Sequence, residues 1–214
     1  MKADVVIAVR GGPQAKTRLA RRLDAPQRDA LVETMLADML AALFGCPSVR
    51  RIYVTTPTPT LARIAARFGA VVVLEPDAGG LNQAFDRTRA RIAAADPRTK
   101  VMLLPGDLPR LDPAEVRTLI AAAGPDRLVV APASADGGTG ALVFEAGTPL
   151  RLAFGPGSFG KHLAAARTLG LEAKVIHAES LGFDLDRPAD LDAFLAVGGG
   201  ARTAHLLRNW RAAA

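Results

Sequence analysis

The sequence predicts an α/β domain of three layers, in which helices cover both faces of a mostly parallel sheet. Two observations carry this prediction. Short apolar runs alternate with longer segments of helical period along the 214 residues, and most of these runs lack polar alternation. A strand that is apolar on both sides is typical of a sheet buried between helices, and ligands of such folds bind beyond the carboxyl ends of the strands.

The predicted elements follow from these two periods. Each expected strand is a short apolar run, and together they lie at residues 4–9, 51–55, 70–74, 100–104, 128–131, 141–144 and 173–177. The clearest helix covers residues 28–44, where leucines and methionines form one stripe after a start signal at Asp24 and Pro26. Weaker helical segments are predicted at residues 59–67, 81–95, 113–123, 158–168 and 188–196.

The length favours one domain over residues 1–197 and a C-terminal appendage at residues 198–214. Three consecutive glycines separate a last amphipathic piece, residues 204–210, from the body. That piece packs on the domain or on a partner subunit, or it is a loosely held tail. A hydrophobic fraction of 50% excludes a disordered chain.

The net charge of +6 suits nucleic acid, a membrane surface or a polyanionic small substrate. The basic residues are scattered, and one Trp and one Tyr are too few for a base-stacking platform. We therefore expect a phosphate-binding cleft, with no nucleic acid and no membrane as partner. The single Cys46 excludes an internal disulfide, and no signal peptide or apolar span of membrane length is found, so a cytoplasmic location is expected.

A glycine-containing loop follows the first strand and carries Gly11, Gly12, Lys16 and Arg18. Backbone N–H groups and cations in such a loop can closely approach triphosphate oxygens. The loop is not a Walker A motif, because the Gly-Lys-Ser/Thr ending is absent. An ordinary strand-to-helix turn with surface cations is the alternative.

Three aspartates stand where a divalent cation could bind. Asp107 follows an apolar strand directly after Gly106, at the end of the sheet where α/β ligands lie. Asp184 and Asp186 are two residues apart, so in an extended segment both side chains point the same way. Converging carboxylates repel unless a cation neutralises them, and Mg²⁺ prefers such oxygens. Capping is the alternative for Asp107, and Asp186 either joins the site or caps the next helix.

Two further glycine segments precede a strand and a helix. Gly138 and Thr139 open one of the strands, and residues 154–162 lead into a helix whose N-terminus, with Ser158, suits an anion. The pattern G-x-G-x-x-G occurs here, but it does not follow a clear strand and contains Pro156, which argues against dinucleotide binding. Three isolated histidines, His162, His177 and His205, are expected to be structural.

Six short motifs occur together in this order along the chain. They are Lys16-Thr17-Arg18-Leu19, Gly79-Gly80-Leu81-Asn82, Leu104-Pro105-Gly106-Asp107-Leu108-Pro109, Gly138-Thr139, Phe154-Gly155-Pro156-Gly157-Ser158-Phe159 with His162, and Asp184-Leu185-Asp186. In this combination the chain resembles the 2-phospho-L-lactate guanylyltransferase family, also described as phosphoenolpyruvate guanylyltransferases, over about residues 5–207. That family serves the biosynthesis of the deazaflavin coenzyme F(420).

The resemblance implies a fold of the nucleotide-diphospho-sugar transferase type, GTP as donor and Mg²⁺ as cofactor. It implies a metal held at Asp107, Asp184 and Asp186, and an acceptor held at Thr139, Gly155 and Ser158. The Lys16 loop, with Gly11, Gly12 and Arg18, would hold the triphosphate. Gly80, Leu81 and Asn82 would lie near the base or ribose, and Gly106 near the nucleotide. Gly140 departs from the asparagine usual in the family, so the acceptor is open among 2-phospho-L-lactate, phosphoenolpyruvate and 3-phospho-D-glycerate.

The reaction implied is attack of an acceptor phosphate oxygen on the α-phosphorus of GTP, with release of pyrophosphate. Another cofactor or sugar nucleotidyltransferase, such as a molybdopterin guanylyltransferase relative, is the nearest alternative. A basic nucleic-acid-binding protein and a dinucleotide-binding oxidoreductase are the others. A homo-oligomer and a downstream enzyme of coenzyme F(420) biosynthesis are the protein partners left open.

Overall fold

The computed structural model describes residues 2–75, 79–134 and 137–212. Its strands are β1 (Ala3–Ala8), β2 (Val49–Thr56), β3 (Val71–Leu74), β4 (Lys100–Pro105), β5 (Arg127–Pro132), β6 (Thr139–Glu145) and β7 (Glu172–Val175). Its helices are α1 (Ala25–Phe44), α2 (Pro59–Arg67), α3 (Gly80–Ala95), α4 (Pro113–Ala122), α5 (Ser158–Thr168), α6 (Glu179–Gly182), α7 (Pro188–Val197) and α8 (Ala201–Ala212). Every predicted strand and helix is present, while the short α6 was not predicted.

The strands form one sheet in the order β3-β2-β1-β4-β6-β5-β7. Within the described residues, β6 is the strand that runs against its neighbours, and the other pairings are parallel. The prediction of a mostly parallel sheet is therefore confirmed. The edge strand β7 departs from the expected apolar run, because all four of its residues are exposed.

Alternate strand residues pack on opposite faces of the sheet. Val5 and Ile7 of β1 join an apolar core with α1, α2, α4, α7 and α8. Val6 and Ala8 of the same strand join a second core with α3 and α5. Because side chains alternate along a strand, an apolar run of this kind fills both cores, which accounts for the absence of polar alternation in the sequence.

The strand order changes direction beside β1, since β2 and β3 lie on one side and β4 on the other. Gly106, which follows β4, donates its backbone N–H to Ala8 O at 2.9 Å. A Cβ at Gly106 would lie 2.4 Å from Val9 Cβ, so glycine lets the ends of β1 and β4 approach. Such a switch point is where open α/β sheets bind ligands.

The C-terminal helix α8 is packed against α1. The buried carboxylate of Asp38, on α1, accepts the backbone N–H groups of Arg202 and Thr203 and the hydroxyl of Thr203. Leu207 is buried in the same core as α1. The contact with the domain is thus real, while the division of the chain at residue 198 stays a prediction. In the part of the chain that the structure describes, no helix combines the length and apolarity needed to span a membrane.

Candidate active site

Lys16 contacts two carboxylates and feels the charge of a third. Its Nζ lies 2.8 Å from Asp107 Oδ2 and 3.5 Å from Asp186 Oδ1, although its side chain is only 8% exposed. Burial lowers the pKa of Lys16, but the charges of Asp107, Asp186 and Asp184 outweigh it and raise that pKa above its ordinary value. These four residues, the carboxylate cluster, join the loop after β1, the end of β4 and the segment before α7.

The backbone at Lys16 adopts the left-handed conformation, with φ of 50°. For a residue with a side chain this costs about 1–2 kcal/mol. A 3₁₀ turn over Thr17–Leu19 follows directly, and Leu19 is fully buried. The loop is therefore anchored in a strained form that directs the ammonium group into the cluster, a pattern that recurs at functional sites.

The end of β4 and the Asp184 segment are tied together by their backbones. Leu185 donates its N–H to Asp107 O at 3.2 Å. Burial, followed by the charge of Asp107, raises the pKa of Asp184 above its ordinary value. Asp107 Oδ1 is itself buried and lacks a hydrogen-bond partner. The predicted convergence of Asp107 and Asp184 is thus present in the structure.

Asp186 faces the cluster and does not cap the next helix. Its Oδ2 lies 2.6 Å from Nη1 of Arg18, whose side chain is largely exposed. The capping role belongs to Asp190, which accepts the backbone N–H groups of Asp186 and Arg187. Of the two alternatives for Asp186, the structure supports the shared site.

The donor set fits a divalent cation in its chemistry. Across residues 2–75, 79–134 and 137–212, no three acidic, histidine or cysteine side chains stand close enough to hold a metal as they are placed. The Lys16 ammonium lies between Asp107 and Asp186 and supplies the positive charge there. The unpartnered Asp107 Oδ1 and the desolvated Asp184 are nevertheless the hard oxygen ligands that Mg²⁺ takes. The three aspartates stay our predicted ligands.

A cavity of about 150 Å³ opens on one side of the cluster. Asp107 and Asp184 line it together with Thr139, Gly140 and Gly155. Two of the three residues predicted to bind the acceptor, Thr139 and Gly155, therefore line this cavity. The third, Ser158, is fully buried and does not line the cavity, and its Oγ donates to Thr139 Oγ1 at 3.0 Å.

His162 lies behind Thr139 and has no exposed surface. Its Nδ1 is 2.9 Å from Thr139 Oγ1, and its Nε2 accepts the N–H of Ala153 at 3.0 Å. Burial, with a smaller effect of the Lys161 charge, lowers the pKa of His162 to about 4, so the ring is neutral at pH 7. His177 and His205 are exposed.

Gly140 is required by a close contact between β6 and α6. A Cβ at this position would lie 1.7 Å from the carbonyl oxygen of Leu181. Asparagine, which the resemblance implies at position 140, does not fit this backbone. The segment that leads to Asp184 consequently lies closer to β6 than any residue with a side chain would allow.

A second cavity, of about 290 Å³, opens between the ends of β1 and β2 and the start of α3. Gly80, Leu81, Thr55 and Glu75 line it, and Leu81 also lines the cavity beside the cluster. Thr55 Oγ1 is buried without a partner. Glu75 is 9% exposed, with Nη1 of Arg87 3.6 Å from its carboxylate. The sequence reasoning missed Thr55 and Glu75, whose only signal is that each stands at the end of a predicted strand.

Three predicted nucleotide contacts have other partners in the structure. The N–H of Gly11 bonds Thr58 Oγ1, and that of Gly12 bonds Asp29 Oδ1. The amide of Asn82 makes two hydrogen bonds to the backbone of Phe154. Nucleotide binding by Gly11, Gly12 and Asn82 stays a prediction. No local sequence pattern indicates that Thr58 and Asp29 bind Gly11 and Gly12.

Comparison with known proteins settles the family. The family model described as "Guanylyl transferase CofC like" matches residues 3–213. The chain belongs to this family. It is a guanylyltransferase, and its family serves coenzyme F(420) biosynthesis.

Two curated relatives of this guanylyltransferase are named for different acceptors. The 3-phospho-D-glycerate guanylyltransferase of Phenylobacterium zucineum (strain HLK1) is 44% identical over 98% of this chain and 99% of the relative. The phosphoenolpyruvate guanylyltransferase of Thermomonospora curvata is 41% identical over 94% of this chain and 87% of the relative.

Solved structures show the fold of the guanylyltransferase. A candidate nucleotide-diphospho-sugar transferase of Desulfovibrio desulfuricans G20 aligns with a TM-score of 0.75 and 17% identity, over 99% of this chain and 96% of that one. A nucleotidyl transferase of Methanothermobacter aligns with a TM-score of 0.64 and 18% identity, over 97% and 99%. The predicted nucleotide-diphospho-sugar transferase type of fold is therefore confirmed.

Proposed function

We propose that this guanylyltransferase transfers GMP from GTP to the phosphate of a small phosphorylated three-carbon acid and releases pyrophosphate. The observation that carries the proposal is that Asp107, paired with Lys16, and Asp184 line a cavity that shares Leu81 with a second cavity. Two cavities that adjoin at Leu81, one of them lined by carboxylates of the cluster, suit the joining of two anionic substrates. The names of the relatives supply the acceptor class.

In the proposed reaction an acceptor phosphate oxygen attacks the α-phosphorus of GTP in line. The new phosphorus–oxygen bond forms as the bond to the bridging oxygen of the β-phosphate breaks, and pyrophosphate leaves with that electron pair. The nucleophile is already anionic, so no side chain has to remove a proton. The protein must instead hold two anions together and neutralise their charge.

Lys16, a member of the cluster, and Arg18, which pairs with Asp186, meet that need. Lys16 and Arg18, which neutralise carboxylates in the structure, are the residues we assign to the triphosphate. A divalent cation, for which we propose Mg²⁺, would be held by Asp107, Asp184 and Asp186 and would withdraw charge from the phosphate oxygens it contacts.

The cavity of about 290 Å³, which we assign to GTP, contains groups that can select guanine over adenine. The base edge of guanine presents the N1–H and N2–H₂ donors side by side, and one carboxylate can accept from both, whereas adenine has no such donor pair. Glu75 supplies a carboxylate in this cavity, and Thr55 Oγ1 supplies a hydroxyl without a partner. We therefore expect Glu75→Gln to lower kcat/KM for GTP about tenfold. The matched control is Glu172→Gln, on the exposed strand β7.

The deciding experiment supplies GTP and Mg²⁺ with each of the three candidate acids in turn. Pyrophosphate release and the mass of the product identify the acceptor, and 3-phospho-D-glycerate is tested first because of the relative that shares 44% identity. Asp107→Asn is expected to lower kcat by about 100-fold or more, whereas Asp192→Asn, on the exposed side of α7, keeps wild-type turnover. If none of the three acids yields a guanylylated product, the proposed reaction is wrong.

The compartment we propose is the cytoplasm, because the one cysteine is free and buried, which suits reducing surroundings. A homo-oligomer and a downstream coenzyme F(420) enzyme remain predictions. Light scattering on the purified protein measures the first.

A further inference from the structure

The two ring nitrogens of His162 have different partners, and this fixes where its proton lies. Nε2 is 3.0 Å from the backbone N of Ala153, a group that can only donate. Nε2 therefore accepts and carries no hydrogen, so in the neutral ring the proton sits on Nδ1. That N–H donates to Thr139 Oγ1 at 2.9 Å.

The Thr139 hydroxyl accepts a second hydrogen bond, from Ser158. Ser158 Oγ, which is fully buried, donates to Thr139 Oγ1 at 3.0 Å. A hydroxyl oxygen accepts two hydrogen bonds and donates one. With both acceptor positions filled by His162 and Ser158, the proton of Thr139 has to point elsewhere, and Thr139 lines the cavity beside the carboxylate cluster.

We propose that His162 is a positioning residue that fixes the Thr139 hydroxyl as a hydrogen-bond donor into this cavity, where it selects an anionic oxygen of the acceptor. The inference deepens the proposed function and rests on it, since the anion in question is the carboxylate or phosphate of the three-carbon acid. His162 does not line the cavity, so it acts through Thr139.

The surroundings hold the imidazole in this role. The ring of Phe154 packs edge-on against His162, with centroids 5.1 Å apart. The backbone of Phe154 is in turn clamped by the amide of Asn82, at 2.7 Å and 3.1 Å. The histidine can neither turn over nor take up a second proton without losing the Ala153 contact. Asn82 thus has a structural role, holding the Phe154 backbone, that its motif did not indicate.

Two variants separate the two nitrogens of His162. Gln places an acceptor near the Nε2 position and keeps the bond from Ala153, but it removes the donor to Thr139. Asn places a donor near the Nδ1 position and removes the acceptor for Ala153. We expect His162→Gln to raise KM for the phosphorylated acid about tenfold with KM for GTP unchanged, and His162→Asn to stay within about threefold of wild type.

If His162 had only a structural role, His162→Asn would be the more damaging of the two variants. His162→Asn leaves a buried N–H of Ala153 without a partner, so it should lower Tm more than His162→Gln does. If the rise in acceptor KM follows the loss of Tm across the two variants, the positioning role is overturned. The double variant His162→Gln/Thr139→Val gives a second test. Residues that act through one hydroxyl do not have independent effects, so the positioning role is also overturned if the rise in acceptor KM of the double variant equals the product of the two single rises.

The tautomer can be observed directly. The chain has three histidines, so ¹⁵N spectra of the histidine rings are simple to assign with single variants. The proposal expects Nδ1 of His162 to show the shift of a protonated nitrogen and Nε2 that of an unprotonated one, and the reverse pattern refutes it. These spectra need no substrate, so they test the inference even if the proposed reaction fails in the turnover assay.

Discussion

Lys16 Nζ and Asp107 Oδ2 lie 2.8 Å apart, although their residues are separated by 91 positions in the chain. The contact joins the loop after β1 to the end of β4 at the switch point of the sheet. It places one buried cation among three carboxylates. The same charges that hold the loop in place are those that two phosphorylated substrates and a divalent cation would compete for.

Replacing Lys16 by Met is expected to destabilise the protein, because Asp107, Asp184 and Asp186 then repel each other without the buried ammonium, and Arg18 pairs with Asp186 alone. The expected loss is about 1–3 kcal/mol in the free energy of unfolding, measured in urea without metal. Added Mg²⁺ should raise Tm by more in this variant than in wild type, since the ammonium no longer occupies the space between the carboxylates. The control is Lys174→Met on the exposed strand β7. An equal response to Mg²⁺ in Lys16→Met and wild type contradicts a metal site at these aspartates.

The pH dependence of stability should carry the signature of His162. Its folded-state pKa, about 4, lies below the ordinary value of 6.5, so the unfolded chain takes up a proton first as the pH falls. The contribution of His162 to stability, about 3 kcal/mol, is therefore lost as the pH drops from 6.5 towards 4. Urea unfolding at pH 7, 6 and 5 measures this.

His162→Gln removes the titrating group, so this variant should lose less stability than wild type over that interval. His205→Gln, at an exposed position, serves as the control and should follow wild type. Parallel curves for wild type and His162→Gln would show that burial does not hold the ring neutral.

Periodicity located the buried strands because their apolar runs serve two cores at once, and it located the helices because their apolar residues recur on one face. It also placed Asp107 at the ligand-binding end of the sheet, since a carboxylate directly after a buried strand has no packing role. Periodicity could not predict the direction of each strand in the sheet or the hydrogen-bond partners of the loop residues. The antiparallel course of β6 depends on the neighbours of that strand, and the apolar run of its sequence is the same either way. The bond from Gly12 to Asp29 depends on a helix 17 positions away.

The docking of α8 should depend on Asp38. This buried carboxylate accepts two backbone N–H groups and a hydroxyl at the start of the helix. Asp38→Ala leaves them unpaired and is expected to cost about 2–3 kcal/mol of stability, with kcat and both KM values unchanged. Asp192→Ala breaks an exposed ion pair between α7 and Arg211 and should cost under about 0.5 kcal/mol. Should both variants unfold like wild type, α8 is the loosely held tail that the sequence also allowed.

Gly140 and Gly160 offer a matched test of where a methyl group can be added. At Gly140 the new Cβ would meet Leu181 O at 1.7 Å, so either β6 or α6 has to move. We expect Gly140→Ala to cost about 2 kcal/mol or more and to raise KM for the acceptor, because Leu181 and Gly140 both line the cavity that holds Thr139.

Gly160 lies in α5, and beyond its chain neighbours and the backbone of its own helix no described atom lies within 4 Å of an added Cβ, so Gly160→Ala should stabilise the protein by about 0.5–1 kcal/mol. Urea unfolding and acceptor titrations of both variants give the comparison. Wild-type stability and wild-type acceptor KM in Gly140→Ala would mean that α6 does not press against β6, and that the missing side chain at residue 140 has no part in shaping the acceptor cavity.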